Sequence, residues 1–182
     1  MKKPWRKLNS KIAYKNPYWH VVKDKVIQPD GNKGAYHFVQ LNDFASTFIL
    51  DKDGKSTYLT RQYRYPVGKN SWENPQGLID RGETPLQGAK RELEEETGFK
   101  AKWWKKIGFA YIANGLTNQG FHIFVAQDLA KGEQRLEGSE ADMIVKKFPI
   151  VKVRKMIEKG EISDAPAIVT FHFVEKYLKR LL

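Results

Sequence analysis

The 182-residue chain has no cysteine, which excludes disulfides, a thiolate nucleophile and Cys-ligated zinc. Its four histidines, His20, His37, His122 and His172, are scattered without the HxxxH spacing of a helical zinc pair. Any bound metal must therefore be held by oxygen. No run approaches the roughly 20 apolar residues of a membrane span, and Met1-Lys2-Lys3 leads into polar sequence instead of an apolar signal core. The chain accordingly reads as cytoplasmic, with no membrane partner. Internal repeats, low-complexity tracts and linkers are also missing. Acidic residues are the scarcer charge, 21 against 32 Lys and Arg, for a formal net charge of +11. Lys2, Lys3, Arg6, Lys7 and Lys11 supply much of it. Such an excess either solubilises the surface or attracts a phosphate-bearing molecule. No basic segment is interleaved with aromatics as in a nucleic-acid module, so nucleic acid is not expected as a partner.

What is present suits a globular core: 41% of residues are hydrophobic and 13% aromatic. Strands are predicted near 18–28 and 35–41 around the turn Pro29-Asp30-Gly31-Asn32, forming a hairpin ahead of the main body. A second hairpin is expected from Ser46–Leu50 and Ser56–Tyr63 flanking Asp51-Lys52-Asp53-Gly54. A helix follows from Pro85 to Thr97. Thr84 caps it, Gln87 completes a T-x-x-Q capping box, Pro85 suits the first turn and Gly98 supplies a left-handed stop. Strands are then expected over 103–112, 121–127 and 143–150, although adjacent Trp103 and Trp104 blur the alternation. Two helices close the chain, one over 151–159 and one from Ser163 or Asp164 to the C-terminus. This order implies an α+β, mixed α/β sandwich, with residues 1–43 as the hairpin region and 44–182 as the main domain.

The helix carries the chemistry. On a helical wheel Glu92, Glu95 and Glu96 share an arc of about 100°, beside an arc filled by Leu86, Ala89, Leu93 and Thr97. Glu92, Glu94, Glu95 and Glu96 repel one another, each like-charge i,i+4 pair costing a few tenths of a kcal/mol. A merely solvated face laced by Lys90 and Arg91 would lie opposite the packed side. Here the acidic arc borders the packed one, which sets carboxylates at the core's edge, where hard divalent cations such as Mg2+ or Mn2+ bind.

Gly77, Glu83, Arg91, Glu92, Leu93, Glu95, Glu96, Gly98 and Phe99 fill every fixed position of the pattern Gx5Ex7REUxEExGU, where U is a bulky apolar residue. At ordinary residue frequencies such a coincidence has odds on the order of one in ten million. The segment resembles the signature box of the Nudix hydrolase superfamily. That resemblance implies that Glu92 and Glu96 are the main metal ligands, with Glu95 assisting directly or through water. It implies also that Glu83 and Arg91 brace the loop-helix-loop. A pyrophosphate bridge repels hydroxide, so cations must neutralise it, activate water and stabilise the leaving oxygen. Gly77 and Gly82 either serve turns or let backbone approach the metals.

Upstream, Arg61-Gln62-Tyr63-Arg64-Tyr65-Pro66-Val67-Gly68 and Glu73-Asn74-Pro75-Gln76-Gly77 are similar to the RQYRxPxG and ExPxG patterns of ADP-ribose and related nucleoside-diphosphosugar pyrophosphatases. The similarity runs from about Ser10 to the C-terminal helices. By that resemblance the fold is a Nudix α/β/α sandwich and the first hairpin is exchanged across a homodimer. The backbone carbonyl of Gln76, where alanine is commoner in the family, would be a metal ligand. Arg64 and Glu73 would contact substrate, or Arg64 would pair with Glu73. Trp19 and Tyr36 would stack the nucleobase, or pack within the hairpin or dimer core. The catalytic base would come from the acidic loop Glu137-Gly138-Ser139-Glu140-Ala141-Asp142, with Glu140 first, Glu137 and Asp142 behind it, and Glu95 the other candidate catalytic carboxylate. In Tyr111-Ile-Ala-Asn114-Gly115-Leu-Thr-Asn-Gln119, Asn114 stands where members favouring ADP-ribose often have proline, and Gly115, a candidate substrate contact, is retained. The expected activity is cleavage of a nucleoside diphosphosugar, ADP-ribose first, to a nucleoside monophosphate and a sugar phosphate. The alternatives are another substrate (a dinucleotide, a nucleoside triphosphate or an RNA 5′ end) and a non-catalytic nucleotide-sensing module.

Overall fold

The computed structural model describes residues 4–180. Lys2 and Lys3 of the basic N-terminus, and the last two residues of the expected C-terminal helix, lie outside the described residues. The strands are β1 (Arg6–Lys15), β2 (His20–Ile27), β3 (Lys33–Gln40), β4 (Phe44–Ile49), β5 (Ser56–Arg64), β6 (Lys69–Glu73), β7 (Gln76–Leu78), β8 (Phe99–Tyr111), β9 (Gly120–Lys131) and β10 (Ile144–Pro149). The helices are α1 (Pro85–Thr97), α2 (Ile150–Glu158) and α3 (Ala165–Leu178). Backbone proximity divides the chain into two units: residues up to Asn42 with Tyr111–Gly120, and Asp43–Ala110 with the chain from Phe121 onward.

The first unit is built on an antiparallel sheet in the order β1-β2-β3. The Gly31 amide donates to Gln28 O (2.9 Å) in the turn between β2 and β3. The hairpin expected from sequence therefore gains a third strand, β1, all of whose residues are exposed. In the Tyr111–Gly120 excursion the Leu116 amide donates to Ala113 O (2.8 Å), so the turn forms with Asn114 in place of proline. The Tyr36 hydroxyl donates to Gly115 O (3.0 Å), and Asn118 exchanges two hydrogen bonds with the Leu41 backbone.

The second unit holds a sheet in the order β7-β4-β9-β8 and a smaller one in the order β10-β5-β6. β4 and β9 are parallel. Every residue of β4 is buried, so this strand must be covered on both faces. Ala45 and Ile49 pack with Ala89 and Leu93 of α1, while Phe48 and Phe44 meet Phe171 and Phe173 of α3. A helix on each face of the central sheet makes an α/β/α sandwich. The expected second hairpin is corrected by this demand. The turn Asp51–Gly54 forms, with Gly54 N donating to Asp51 O (2.8 Å), but β4 enters the central sheet and β5 pairs with β6 and β10. A fully buried strand takes neighbours on both edges from wherever the core places them, not from its sequence neighbour. The adjacent tryptophans have the same explanation: Trp103 packs against the α3-side cluster and Trp104 against the α1-side clusters. No helix among the described residues is long and apolar enough to cross a membrane.

Candidate active site

The position of α1 is fixed locally at both ends. Thr84 Oγ1 accepts from the Gln87 amide (3.3 Å) while Gln87 Oε1 accepts from the Thr84 amide (2.8 Å), closing the capping box. Gly98 takes φ 69° and its amide donates to Glu94 O (2.8 Å), a left-handed cap that disfavours any residue with a Cβ. Buried Ala89 and Leu93 then hold the helix on β4, and the turn of the helix presents Glu92 and Glu96 toward β7, with Glu95 beside them on Arg91.

Glu96 is 1% exposed and accepts one hydrogen bond, from the Gln76 amide at the start of β7 (3.1 Å). Burial, and then the fields of Glu92, Glu140 and Glu73, push its carboxyl well above the ordinary range. Glu92 is pushed up to about 7, by burial first and with Glu95 and Glu140 adding to it, although Arg91 pulls the other way. Its carboxylate rests on Gly77: a Cβ built there would lie 2.2 Å from the Glu92 carboxyl carbon. Gly77 lies in β7, so here the glycine serves close approach rather than a turn. Gly82, at φ 93°, makes the turn.

Arg91 ties this edge of the site together. It donates to both oxygens of Glu83 (2.9 and 3.0 Å), to Leu78 O (2.7 Å), to Glu92 (2.6 Å) and to Glu95 (3.1 Å). Glu83 in turn accepts from the Asp80 amide (2.9 Å), which fixes the loop before the helix.

A second buried acid lies one strand away. Glu73 is 2% exposed and forms a two-point ion pair with Arg64, one of whose bonds, from Nε, is 2.9 Å. The Gln76 side chain donates to Glu73 (2.9 Å) and toward Asp164 (3.5 Å), and Gln76 Oε1 is buried with no hydrogen-bond partner. Asp164 caps α3 by accepting from the Ala167 amide (2.9 Å); burial first, then Glu73, raises it to about 6. Sequence reading had Asp164 only as a helix start. The signal for more was its place as an acid before an apolar helix, which says nothing of what the cap faces.

Glu140 lies on the short 3-10 turn Gly138–Glu140, and its carboxylate accepts from the Glu137 amide (3.3 Å). It stands close enough to raise both Glu92 and Glu96. Asp142 is otherwise engaged, accepting from the Tyr63 amide of β5 (3.1 Å).

The aromatic candidates belong to the first unit. Trp19 packs against Tyr14 (centroids 5.2 Å) and Tyr36 meets Trp5 edge-on (5.5 Å), so the two form separate pairs. Trp5 was not foreseen. Trp5, Lys7, Asp24, Val26, Tyr36 and Phe38 line one cavity of about 340 Å³. The usable signal was the alternation Leu8, Ser10, Ile12, Tyr14 that makes β1 a strand and brings Trp5 to its start.

The donors present fit hard divalent cations. Glu92, Glu95, Glu96 and the Gln76 carbonyl offer only oxygen, the lack of a Cβ at Gly77 lets the Glu92 carboxylate lie against β7, and Gln76 Oε1 is an unspent acceptor. Among the described residues no three acids or histidines already converge as a closed cage; Arg91 holds Glu92 and Glu95 instead. Bound cations would neutralise charge on a substrate's phosphates and acidify a water.

This chain belongs to the NUDIX domain family, whose model matches residues 41–171. Residues 5–39 match the nucleoside diphosphate sugar hydrolase N-terminal domain. The chain is 28% identical over 148 residues to the ADP-ribose pyrophosphatase of Bacillus subtilis (strain 168), covering 81% of this chain and 80% of that protein. It is also 28% identical over 163 residues to the ADP-ribose pyrophosphatase of Mycobacterium tuberculosis (strain ATCC 25618 / H37Rv), covering 88% and 78%. A crystal structure of an ADP compounds hydrolase superposes with a TM-score of 0.83 at 23% identity, covering 97% of this chain and 95% of that one, and so shares its fold.

Proposed function

We propose that this chain is a metal-dependent pyrophosphohydrolase that cleaves nucleoside diphosphosugars, ADP-ribose first among them, to a nucleoside monophosphate and a sugar phosphate. The observation that carries the reading is the pair Glu92 and Glu96, the first partly buried against Gly77 and paired with Arg91, the second fully buried on the Gln76 backbone amide. Matches to both the catalytic domain and the sugar-nucleotide N-terminal domain support the substrate class. Mg2+ or Mn2+ is the metal, held by Glu92, Glu96, Glu95 and the Gln76 carbonyl.

In the reaction a water oxygen bonds to one phosphorus, the bridging P–O bond breaks, and the bridge oxygen leaves with the other phosphate. Glu140 takes the proton from the water. Arg64, oriented by Glu73, presents its remaining donors to the substrate's phosphates or ribose, and Trp19, Tyr36 and Gly115 belong to the base-binding part. The protein acts in the cytoplasm as a homodimer with exchanged N-terminal sheets. Support for the dimer comes from β1, whose Leu8, Ile12 and Tyr14 are 48%, 51% and 53% exposed, an apolar surface of the kind that marks an interface.

The test is turnover of a panel of sugar nucleotides with Mg2+ by wild type, Glu92→Gln and Glu96→Gln. Undiminished turnover in both variants would sink the mechanism. Preference for a dinucleotide, a nucleoside triphosphate or an RNA 5′ end over every sugar nucleotide would move the substrate class, whereas Asn114 bears only on ADP-ribose against another sugar nucleotide. A sensing module would instead bind ADP-ribose in calorimetry and release no product over hours.

A further inference from the structure

A cavity of about 250 Å³ on the second unit is lined by Lys105, Lys106, Ile107, Phe173, Lys176, Tyr177 and Arg180. No acidic side chain lines it. Lys106 Nζ lies 2.8 Å from His122 Nδ1, whereas Lys105, Lys176 and Arg180 have no ion pair among the described residues. Some cations of this unit are paired with acids, as Arg154 with Glu175 and Lys100 with Glu94; what marks this cavity is four cations around one concavity whose lining holds no acid. One wall is closely packed: a Cβ at Gly108 would lie 2.5 Å from the Phe173 ring, so that ring is seated on the β8 backbone.

The cavity is remote from the acidic centre. Asp164 at the start of α3 reaches Gln76, while Lys176 and Arg180 sit at the other end of that helix, roughly 20 Å along its axis. α3 also covers the face of the central sheet opposite α1. Four cations around one concavity repel each other, and the helix's C-terminal carbonyls offset only part of that, which leaves a site an anion would stabilise.

We propose that this cavity is a second, non-catalytic binding site for a diphosphate group. Its volume falls just below the range of about 300–1,000 Å³ found for clefts that take drug-sized ligands, which suits a diphosphate rather than a whole dinucleotide. The lining offers donors throughout: three ammonium groups, one guanidinium and the Tyr177 hydroxyl. Ile107 and Phe173 form an apolar floor that excludes water from beneath the charges. The diphosphate comes either free or as part of a nucleotide.

The experiment is amide NMR of the full chain in chelator, titrated separately with inorganic pyrophosphate, ADP, AMP and a single-stranded oligonucleotide. Without metal the Glu92–Glu96 cluster repels anions, so shifts there and shifts at the cavity are distinguishable. Pyrophosphate is expected to shift Lys105–Ile107 and Phe173–Arg180 saturably, with affinity falling as salt rises. Lys105→Ser, Lys176→Ser and Arg180→Ser, all exposed positions, should each weaken it roughly tenfold. ADP matching pyrophosphate identifies the nucleotide-borne group as a ligand, and ADP failing to bind identifies the free anion. AMP binding as tightly as ADP, an oligonucleotide binding far more tightly than either, or no saturable shift at millimolar pyrophosphate would each overturn the proposal.

Discussion

Replacing Glu92 by glutamine should make the metal-free protein more stable at neutral pH, not less. Glu92 titrates near 7 in the folded chain, against 4.5 when exposed. Between those values the native state keeps a proton that the unfolded chain has released. The associated stability is full below pH 4.5 and is lost as pH rises through 7. At about 1.4 kcal/mol for each tenfold step, the loss is about 3 kcal/mol by pH 7.5. For a chain of this size that corresponds to roughly 6–12 °C in Tm. The Glu92 side chain is only 14% exposed, so solvent screening takes little of this away. Glutamine has no such proton, so its difference from wild type sets aside Asp164 and the other groups Glu92 does not act on, and reports Glu92 together with the part of the Glu96 shift that the Glu92 charge causes. The assay is thermal unfolding of wild type and Glu92→Gln in chelator at pH 5 and 7.5, repeated with saturating Mg2+. The variant should gain on wild type between pH 5 and 7.5 in chelator, and Mg2+ should close the gap by stabilising wild type alone. Parallel profiles within about 1 °C would refute the premise that desolvation of the Glu92 carboxylate outweighs its pairing with Arg91.

Other perturbations reach different parts of the structure. Gly77→Ala drives a methyl into the Glu92 carboxylate, and because that flexible side chain can swing away, the fold should survive while turnover with Mg2+ falls at least about tenfold, measured by kcat alongside Tm. Glu140→Gln should lower kcat roughly 100- to 10,000-fold with Mg2+ binding intact, as separate metal titration would show. Gly108→Ala collides with a packed ring and should cost about 1–3 kcal/mol in urea unfolding, partly recovered by Phe173→Leu. Thr84→Ala removes the α1 cap and should cost about 1 kcal/mol in the same assay, with activity retained at low temperature.

How far the sequence could be read depended on whether an element's cause was local. α1 begins and ends where Thr84, Gln87 and Gly98 say, because caps act within four residues of the groups they satisfy. β6 and β7 escaped. Lys69–Glu73 and Gln76–Leu78 are short, polar and interrupted by Pro75, and they are strands only because β5 and β4 supply partners. Trp103 and Trp104 hid the earlier start of β8, since a strand packed on both faces loses its alternation. β1 is the reverse case. Its alternation is present, but lysines lie between the apolar residues and no face is buried within one chain, so the segment registers in the sequence only through its charge.

The same division holds inside the candidate site. The box spacing placed Glu92, Glu95 and Glu96 on one arc because a single helix fixes their relation. It could not show which of them is buried. Glu96 is enclosed because β7 crosses it and Gln76 donates its amide, while Glu95, one residue earlier, reaches only Arg91. Asp164 is the extreme instance. It enters the site because α3 packs on β4, with Thr170 bonded to Ser46 across 124 residues of sequence, and this brings the helix's own cap against Gln76. Glutamine at position 76 then has a use that alanine there would lack. Its side chain spans buried Glu73 and half-buried Asp164, whose carboxylates repel each other. The residue that departs from the family's commoner choice is thus the one whose side chain joins the two carboxylates that helical spacing could not relate.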